Sequence, residues 1–254
     1  MTIELFKKHR EEAVFAQFRQ LYKNFPTGEY FPAERPDFVI KTPQQLLGVE
    51  LTQLHEITKN EDNFLTANEA GIDKLLSLTK KRYDLNQEPD CYVSIIVNRT
   101  ANFEQPLEEI IDRLIEAVLR FLPAPGEFAI IDLPALGLIH GCTFISRLLI
   151  YTYPDNKGLG SIFHSPRSLW LSKVDRTHVE RSLIAKENKY ASYRAETDEV
   201  WLLIELNGYF SATEIYGLEQ LFKEVYSSSF SKVFILSSFE NRLFELNVHA
   251  KVLV

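Results

Sequence analysis

The sequence has few of the features that mark membrane, secreted or metal-thiolate proteins. Its 254 residues include only two cysteines. Cys91 and Cys142 form no zinc-binding pattern, so we expect buried free thiols rather than a disulfide or a metal site. No apolar run reaches the ~20 residues that a membrane-spanning helix needs. The charged start MTIELFKKHREE lacks the apolar core of a signal peptide. These absences predict a cytoplasmic protein with no membrane partner.

An excess of positive charge is also missing. The chain carries 28 Lys and Arg against 35 Asp and Glu, a net charge of −7. This argues against a protein coated in positive charge, although a local basic groove remains compatible with it. The composition is otherwise globular, with 45% hydrophobic and 25% charged residues, and the chain is long enough for one large domain or two small ones.

Segments with helical periodicity alternate with strand-like segments, which predicts an α/β fold with a mixed sheet flanked by helices. EVWLLIEL (199–206) and KVFILSS (232–238) are apolar almost throughout, as in strands covered on both faces. NKGLGS (156–161) is interpreted as a hairpin turn joining 143–153 to 161–171. The simplest organisation is a single domain over 1–254. The predicted helices are 3–23, 66–83, 106–122, 175–193 and 211 to about 226, and the predicted strands are 37–41, 47–54, 91–98, 127–133, 143–153, 199–206 and 232–238.

Two carboxylates stand where carboxylates are uncommon. Asp37 opens the apolar run DFVIK, and Glu50 lies inside LGVELTQL. A buried carboxylate must be paired, hydrogen-bonded or bound to a metal. If the two strands pair antiparallel, Asp37 lies near Glu50, and the two charges repel unless a cation lies between them. Mg²⁺ suits such a pair, since it takes one or two carboxylates plus waters and substrate phosphate.

Pro36-Asp37 and Glu50-Leu51-Thr52 resemble the motif of the PD-(D/E)XK nuclease superfamily, which includes many restriction endonucleases and repair nucleases. The order helix (3–23), strands, helix (66–83), strand (91–98) is similar to the αβββαβ core of that family, with a first strand required in 27–34. The resemblance covers residues 1–100, and 100–254 would be a C-terminal elaboration. It implies a restriction-endonuclease-like fold and hydrolysis of phosphodiester bonds with Mg²⁺ or Mn²⁺. It also implies nucleic acid as the partner, with DNA favoured over RNA, and a homodimer.

The sequence departs from this motif at Thr52, where the family has a lysine. The resemblance implies that the lysine positions or activates the attacking water and balances developing charge, and threonine cannot supply a cation. Either a lysine elsewhere reaches the site, or the protein binds without cutting. Lys186, at the edge of the apolar face of 175–193, is the candidate for a migrated lysine. The alternative for Lys186 is a stem lying on the core with its ammonium in water.

The resemblance also implies a third acidic ligand, Glu11, on the apolar stripe of the first helix. The alternative for Glu11 is an ion pair with Lys7 or Arg10. In the nuclease hypothesis, Asp37 and Glu50 hold the metal, while Thr52 or Gln53 positions water or phosphate.

Two other hypotheses stay open. One is a binding or structural protein on a nuclease-like fold that has lost catalysis. The other is an unrelated α/β protein in which Asp37 caps a loop and Glu50 pairs with a basic neighbour.

Overall fold

A computed structural model gives the fold and describes residues 3–54, 66–86, 88–97, 106–133, 145–154, 160–165, 175–206 and 221–251. The architecture is α/β with a mixed sheet flanked by helices, as the sequence predicts. The elements are α1 (Ile3–Leu21), β1 (Glu29–Pro32), β2 (Phe38–Lys41), β3 (Leu46–Gln53), α2 (Thr66–Leu85), β4 (Cys91–Val97), α3 (Leu107–Arg120), β5 (Phe128–Asp132), β6 (Ile145–Thr152), β7 (Ile162–His164), α4 (Arg176–Glu187), α5 (Tyr190–Arg194), β8 (Glu199–Leu206), β9 (Val225–Ser228), β10 (Lys232–Ser237), β11 (Arg242–Glu245) and β12 (Asn247–Ala250).

The chain packs as two compact units whose sequences interleave. Unit 1 comprises Met1–Ala16 and Thr58–Arg167, and unit 2 comprises Gln17–Ile57 and Ser168–Val254. The boundary therefore falls within α1, and unit 1 draws most of its residues from a segment inserted into unit 2. The prediction of a single domain did not anticipate this interleaving.

Unit 1 is built on a four-stranded sheet in the order β5-β6-β4-β7. Residues of α2 and α3 join β4 and β6 in one buried apolar cluster, because α3 concentrates its apolar residues on one face. The predicted hairpin between 143–153 and 161–171 is wrong, since β4 lies between β6 and β7 and pairs in parallel with β7. Cys91 is a buried free thiol, as predicted, and burial raises its pKa to about 11. Cys142 lies outside the described residues.

Unit 2 is built on a six-stranded sheet in the order β1-β2-β3-β8-β10-β11, and a short β9–β12 pair accompanies it. β1, β2 and β3 form an antiparallel meander, after which β8 joins β3 in parallel and β10 joins β8 in parallel. Along unit 2 the elements therefore run α1-β1-β2-β3-α4-α5-β8, which is an αβββαβ order when the helices α4 and α5 are counted as one. The prediction that 66–83 and 91–98 supply the second half of this core is wrong, because these segments form α2 and β4 of unit 1.

Both faces of the unit 2 sheet are covered, which explains the unbroken apolar run of β8. On one face, Val179 and Leu183 of α4 belong to the same buried cluster as Val200 and Leu202. On the other face, the aromatic rings of Phe18, Tyr22, Trp201 and Phe234 lie within ring-contact distance of one another. Alternate side chains of β8 thus enter two separate apolar layers.

Two of the predicted helices differ from the structure. The helix predicted over 175–193 is two helices, α4 and α5, with a break at Asn188 and Lys189. The helix predicted to reach 226 does not do so, because β9 begins at Val225. The rest of that predicted helix, up to residue 220, lies outside the described residues. The first strand, β1, forms at Glu29–Pro32, inside the range 27–34 where the resemblance requires a strand. Among the described helices, none has the length and apolar character needed to cross a membrane.

We predict that unit 1 loses stability in acid through His164 on β7. The ring nitrogen Nε2 of His164 lies 2.5 Å from the Tyr92 hydroxyl. Burial, helped by the charge of Arg10, lowers the pKa of His164 to about 3. In the unfolded chain, His164 protonates near pH 6.5. The stability that comes from keeping His164 neutral in the folded protein is therefore complete above about pH 6.5 and is lost as the pH falls toward 3.

The variant His164→Gln keeps a hydrogen-bond acceptor for Tyr92 but cannot titrate. We expect amide-exchange protection in β4 and β7 to fall less between neutral and acid pH in this variant than in the unmutated protein. The measurement is mass spectrometry after correction for intrinsic exchange rates. His249→Gln, at an exposed position on β12, is the control and leaves the profile unchanged. An acid profile that is identical in His164→Gln and the unmutated protein would refute this assignment.

Candidate active site

Glu50 is a carboxylate buried in the middle of β3. It is 5% exposed and is flanked in the chain by Val49 and Leu51, which project to the other face of the sheet. The Lys186 ammonium donates to Glu50 Oε1 at 2.5 Å, and the Tyr193 hydroxyl donates to the same oxygen at 3.0 Å. A strand-interior carboxylate therefore has both a counter-ion and a hydrogen bond, as burial requires.

Lys186 reaches Glu50 from the last turn of α4. The helix is held against the sheet by Val179 and Leu183, which lie seven and three positions before Lys186 and hence on nearly the same helical face. At its start, the Asp175 side chain accepts a hydrogen bond from the His178 backbone amide. The prediction that Lys186 points toward the predicted carboxylate site is confirmed for Glu50. The alternative, an ammonium in water, is wrong, since only 20% of the Lys186 side chain is exposed.

Asp37 lies at the start of the neighbouring strand. The antiparallel register pairs Phe38 with Val49, and one further step in that register places Asp37 opposite Glu50 on the same face of the sheet. The Asp37 carboxylate accepts a hydrogen bond from the Leu51 backbone amide at 2.7 Å. Asp37 and Glu50 therefore lie on neighbouring strands as predicted, and convergence within ~6 Å stays a prediction.

Tyr193 of α5 is a site residue that sequence reasoning missed. Burial raises the pKa of the Tyr193 hydroxyl far above its usual value, and the Glu50 charge and hydrogen bond raise it further, with a smaller contribution from Asp37. The hydroxyl thus stays protonated and remains a donor to Glu50 at physiological pH. The spacing of seven residues from Lys186 could not have found it, because the break at Asn188 and Lys189 separates α5 from α4.

Gly48 explains how the Pro36-Asp37 segment can lie against β3. It precedes Glu50 by two residues, so a side chain at Gly48 would project to the Glu50 face. A β-carbon there would lie 2.5 Å from Pro36 Cγ and 3.2 Å from the side chain of Thr197. The missing side chain is therefore what lets Pro36 pack on this face and bring Asp37 beside the strand.

Thr52 and Gln53 differ in position. Thr52 is half-buried on the Glu50 face, and its side chain makes no hydrogen bond to any residue that the structure describes. Gln53 projects to the opposite face, where its amide donates to Glu205 Oε2 at 3.2 Å. The predicted role of Gln53 in positioning water or phosphate is wrong, because side chains alternate along the strand.

Glu11 belongs to unit 1, and its carboxylate lies 3.3 Å from the Lys7 ammonium. This is the ion pair that the alternative interpretation anticipated. Within the described ranges, no group of three or more His, Cys, Asp or Glu side chains is placed to hold a metal. An ion bound in unit 2 would therefore depend on Asp37 and Glu50 together with water and substrate oxygens.

A second buried carboxylate, Glu205, was missed although it shows the signal that singled out Glu50. It lies within the apolar run of β8, is 5% exposed, and accepts hydrogen bonds from Gln53 and from the Ser238 hydroxyl. Gln17 of α1 completes this polar cluster through the Ser238 carbonyl. The cluster lies on the face opposite Glu50.

Searches for similar proteins found no matching family model, no matching curated protein and no matching solved structure. Function is therefore inferred from the geometry of the site. Two carboxylates on adjacent strands, with an ammonium within hydrogen-bond distance of one of them, form a set that can bind a hard divalent cation and stabilise a developing negative charge.

We predict that Lys186→Met destabilises unit 2. Methionine keeps much of the aliphatic stem but leaves the Glu50 carboxylate with only the Tyr193 hydrogen bond. Removing one partner of a buried ion pair costs about 3 kcal/mol or somewhat more in the free energy of unfolding. The measurement is urea unfolding followed by tryptophan fluorescence, which reports Trp170 and Trp201 together. Lys189→Met, at an exposed position in the break between α4 and α5, is the control, and equal stabilities for the two variants would contradict the prediction.

We also predict that Gly48→Ala displaces the Pro36-Asp37 segment. The added methyl group overlaps Pro36, and overpacking of this kind costs roughly 1–3 kcal/mol. The double variant Pro36→Ala/Gly48→Ala removes the ring that the methyl group meets, so it should be more stable than the sum of the two single effects. Thermal unfolding of all four proteins gives the coupling, and additive effects would show that Gly48 and Pro36 are not in contact.

Proposed function

We propose that this protein is a metal-dependent nuclease that hydrolyses phosphodiester bonds with Mg²⁺ or Mn²⁺. The observation that carries the proposal is the 2.5 Å contact between the Lys186 ammonium and Glu50. Thr52 stands where the resembled motif has a lysine, and Lys186 supplies a cation to the same carboxylate from α4. The order of elements in unit 2 supports this interpretation, because Asp37 directly precedes β2, Glu50 lies in β3 and Lys186 lies in α4 of the same unit.

The residues of the site would have different roles in the reaction. Asp37 and Glu50 would hold the divalent ion, which when bound would acidify a water and neutralise phosphate charge. Asp37 is oriented by the Leu51 amide, and Glu50 is oriented by Lys186 and Tyr193. An ammonium has three donors, so Lys186 can hold Glu50 and still donate to the attacking water or to a phosphate oxygen.

A second candidate function is a binding or structural protein that keeps this fold without catalysis. The observation that favours it is that Lys186 and Tyr193 both donate to the same oxygen of Glu50. Glu50 is then neutralised within the protein and does not need a metal ion to be buried. In this case the ion pair serves the packing of α4 on the sheet.

The test is cleavage of supercoiled plasmid, linear duplex, single-stranded DNA and RNA with Mg²⁺, Mn²⁺ or EDTA. We expect cleavage with either metal and none with EDTA. Asp37→Asn and Glu50→Gln should each slow cleavage by about a hundredfold or more, since metal stabilisation is worth several kcal/mol and each 1.4 kcal/mol is about tenfold in rate.

Asp198→Asn is the matched control for Asp37→Asn. The Asp198 carboxylate also accepts a hydrogen bond from a β3 backbone amide, that of Leu46, at 2.8 Å, but it lies at the opposite end of the strand. Its loss should leave cleavage unchanged. Undiminished cleavage by both Asp37→Asn and Glu50→Gln would exclude this site as the catalytic one. Binding without cleavage by the unmutated protein, with every metal, would favour the second function.

A further inference from the structure

Arg35 lies at the rim of the site described above. It directly precedes Pro36, whose ring packs over Gly48 on the Glu50 face of β3. Arg35 therefore lies close to this face, two residues before Asp37. The Arg35 side chain is exposed, and its charge acts on the Tyr193 hydroxyl, which donates to Glu50. The packing of Pro36 and the effect of the Arg35 charge on Tyr193 both place Arg35 on the side of the sheet where Glu50 lies.

Arg35 makes no ion pair or hydrogen bond with any residue in the described part of the chain. Two cations near the same face differ in this respect, because Lys186 is held by Glu50 and Arg176 is held by Glu180 and Glu224. An arginine that stays unpaired beside two carboxylates keeps its donors available for an external anion. Its planar fork of N–H groups matches two oxygens of one phosphate.

The charges of the site indicate which kind of anion this would be. Asp37 and Glu50 are balanced by Lys186 and Arg35, so a bound divalent ion would leave the site with two excess positive charges. A nucleic acid backbone meets that excess with successive phosphates, one at the metal and one at the rim. A small phosphate ester offers a single phosphate and would leave Arg35 unused.

We propose that Arg35 binds a backbone phosphate adjoining the scissile one and so anchors a nucleic acid strand across the β2 side of the site. This inference depends on the proposed function, because it takes Asp37 and Glu50 as the centre where the scissile phosphate lies. It assigns to Arg35 a contribution to binding rather than to bond cleavage.

The experiment measures binding of short fluorescein-labelled duplex DNA, single-stranded DNA and RNA by anisotropy, with Ca²⁺ replacing Mg²⁺ to limit turnover. The salt concentration is varied, because the affinity falls as salt rises. Losing one phosphate contact should reduce the magnitude of the slope of log K against log salt by about 0.9 for duplex DNA and about 0.7 for a single strand. Arg35→Ala should show this smaller slope. It should also weaken the binding of oligonucleotides of different sequence by about the same factor for each. Arg35→Lys should keep most of the slope.

Arg181→Ala is the matched control. Arg181 is exposed on α4, five residues before Lys186, and about 140° around the helix from it. Its replacement should leave the affinity and the slope unchanged.

The outcomes separate this inference from the proposed function. An Arg35→Ala protein with the slope and affinity of the unmutated protein overturns the inference, even if Asp37-dependent cleavage is found. If the slope is smaller in magnitude for Arg35→Ala, but the unmutated protein cleaves with no metal tested, the role of Arg35 is upheld and only the catalytic proposal is overturned. If the unmutated protein binds no nucleic acid, both are overturned.

Discussion

The contact between Lys186 and Glu50 is the interaction on which the candidate site depends. A carboxylate inside a strand loses its hydration when the strand is covered, and the cost is several kcal/mol unless a counter-ion replaces the water. Here the counter-ion comes from a helix rather than from a neighbouring strand. The position of α4 on the sheet and the charge state of the site are therefore linked, because moving the helix would leave a charge buried without its partner.

This interaction joins residues that are 136 positions apart in the chain. Most of unit 1 lies between them in sequence, inserted after β3 and before α4. Consecutive elements are usually neighbours in space, which is why the sequence suggested 66–83 and 91–98 as the next helix and strand of the same core. That choice was wrong, and the sequence alone could not have corrected it, since it depends on which strand pairs with β3, and this strand is β8.

The sequence predicts well which single residues need a partner. It predicts only in part which residues from distant segments meet at the site. Glu50 stands out because a charge within an apolar run demands a partner, and Lys186 stands out because it borders an apolar helical face. The same rule applied to β8 would have found Glu205. Alternation along β3 is enough to place Gln53 on the face away from Glu50. Tyr193 and Arg35 could not have been assigned, because their roles arise only when α5 and the segment before β2 meet the same face of the sheet.

The two carboxylates are held by different means, and this difference bears on how the site could work. Asp37 accepts a hydrogen bond from a backbone amide of β3, and Pro36, packed over Gly48, brings it beside that strand. Glu50 is fixed by two side chains from α4 and α5 that donate to one of its oxygens. A divalent ion would meet one carboxylate that is already oriented and one that already has a cation. Binding would then require Lys186 to share Glu50 rather than to leave it, and a shared ammonium is placed to donate to whatever oxygen the ion brings to the site.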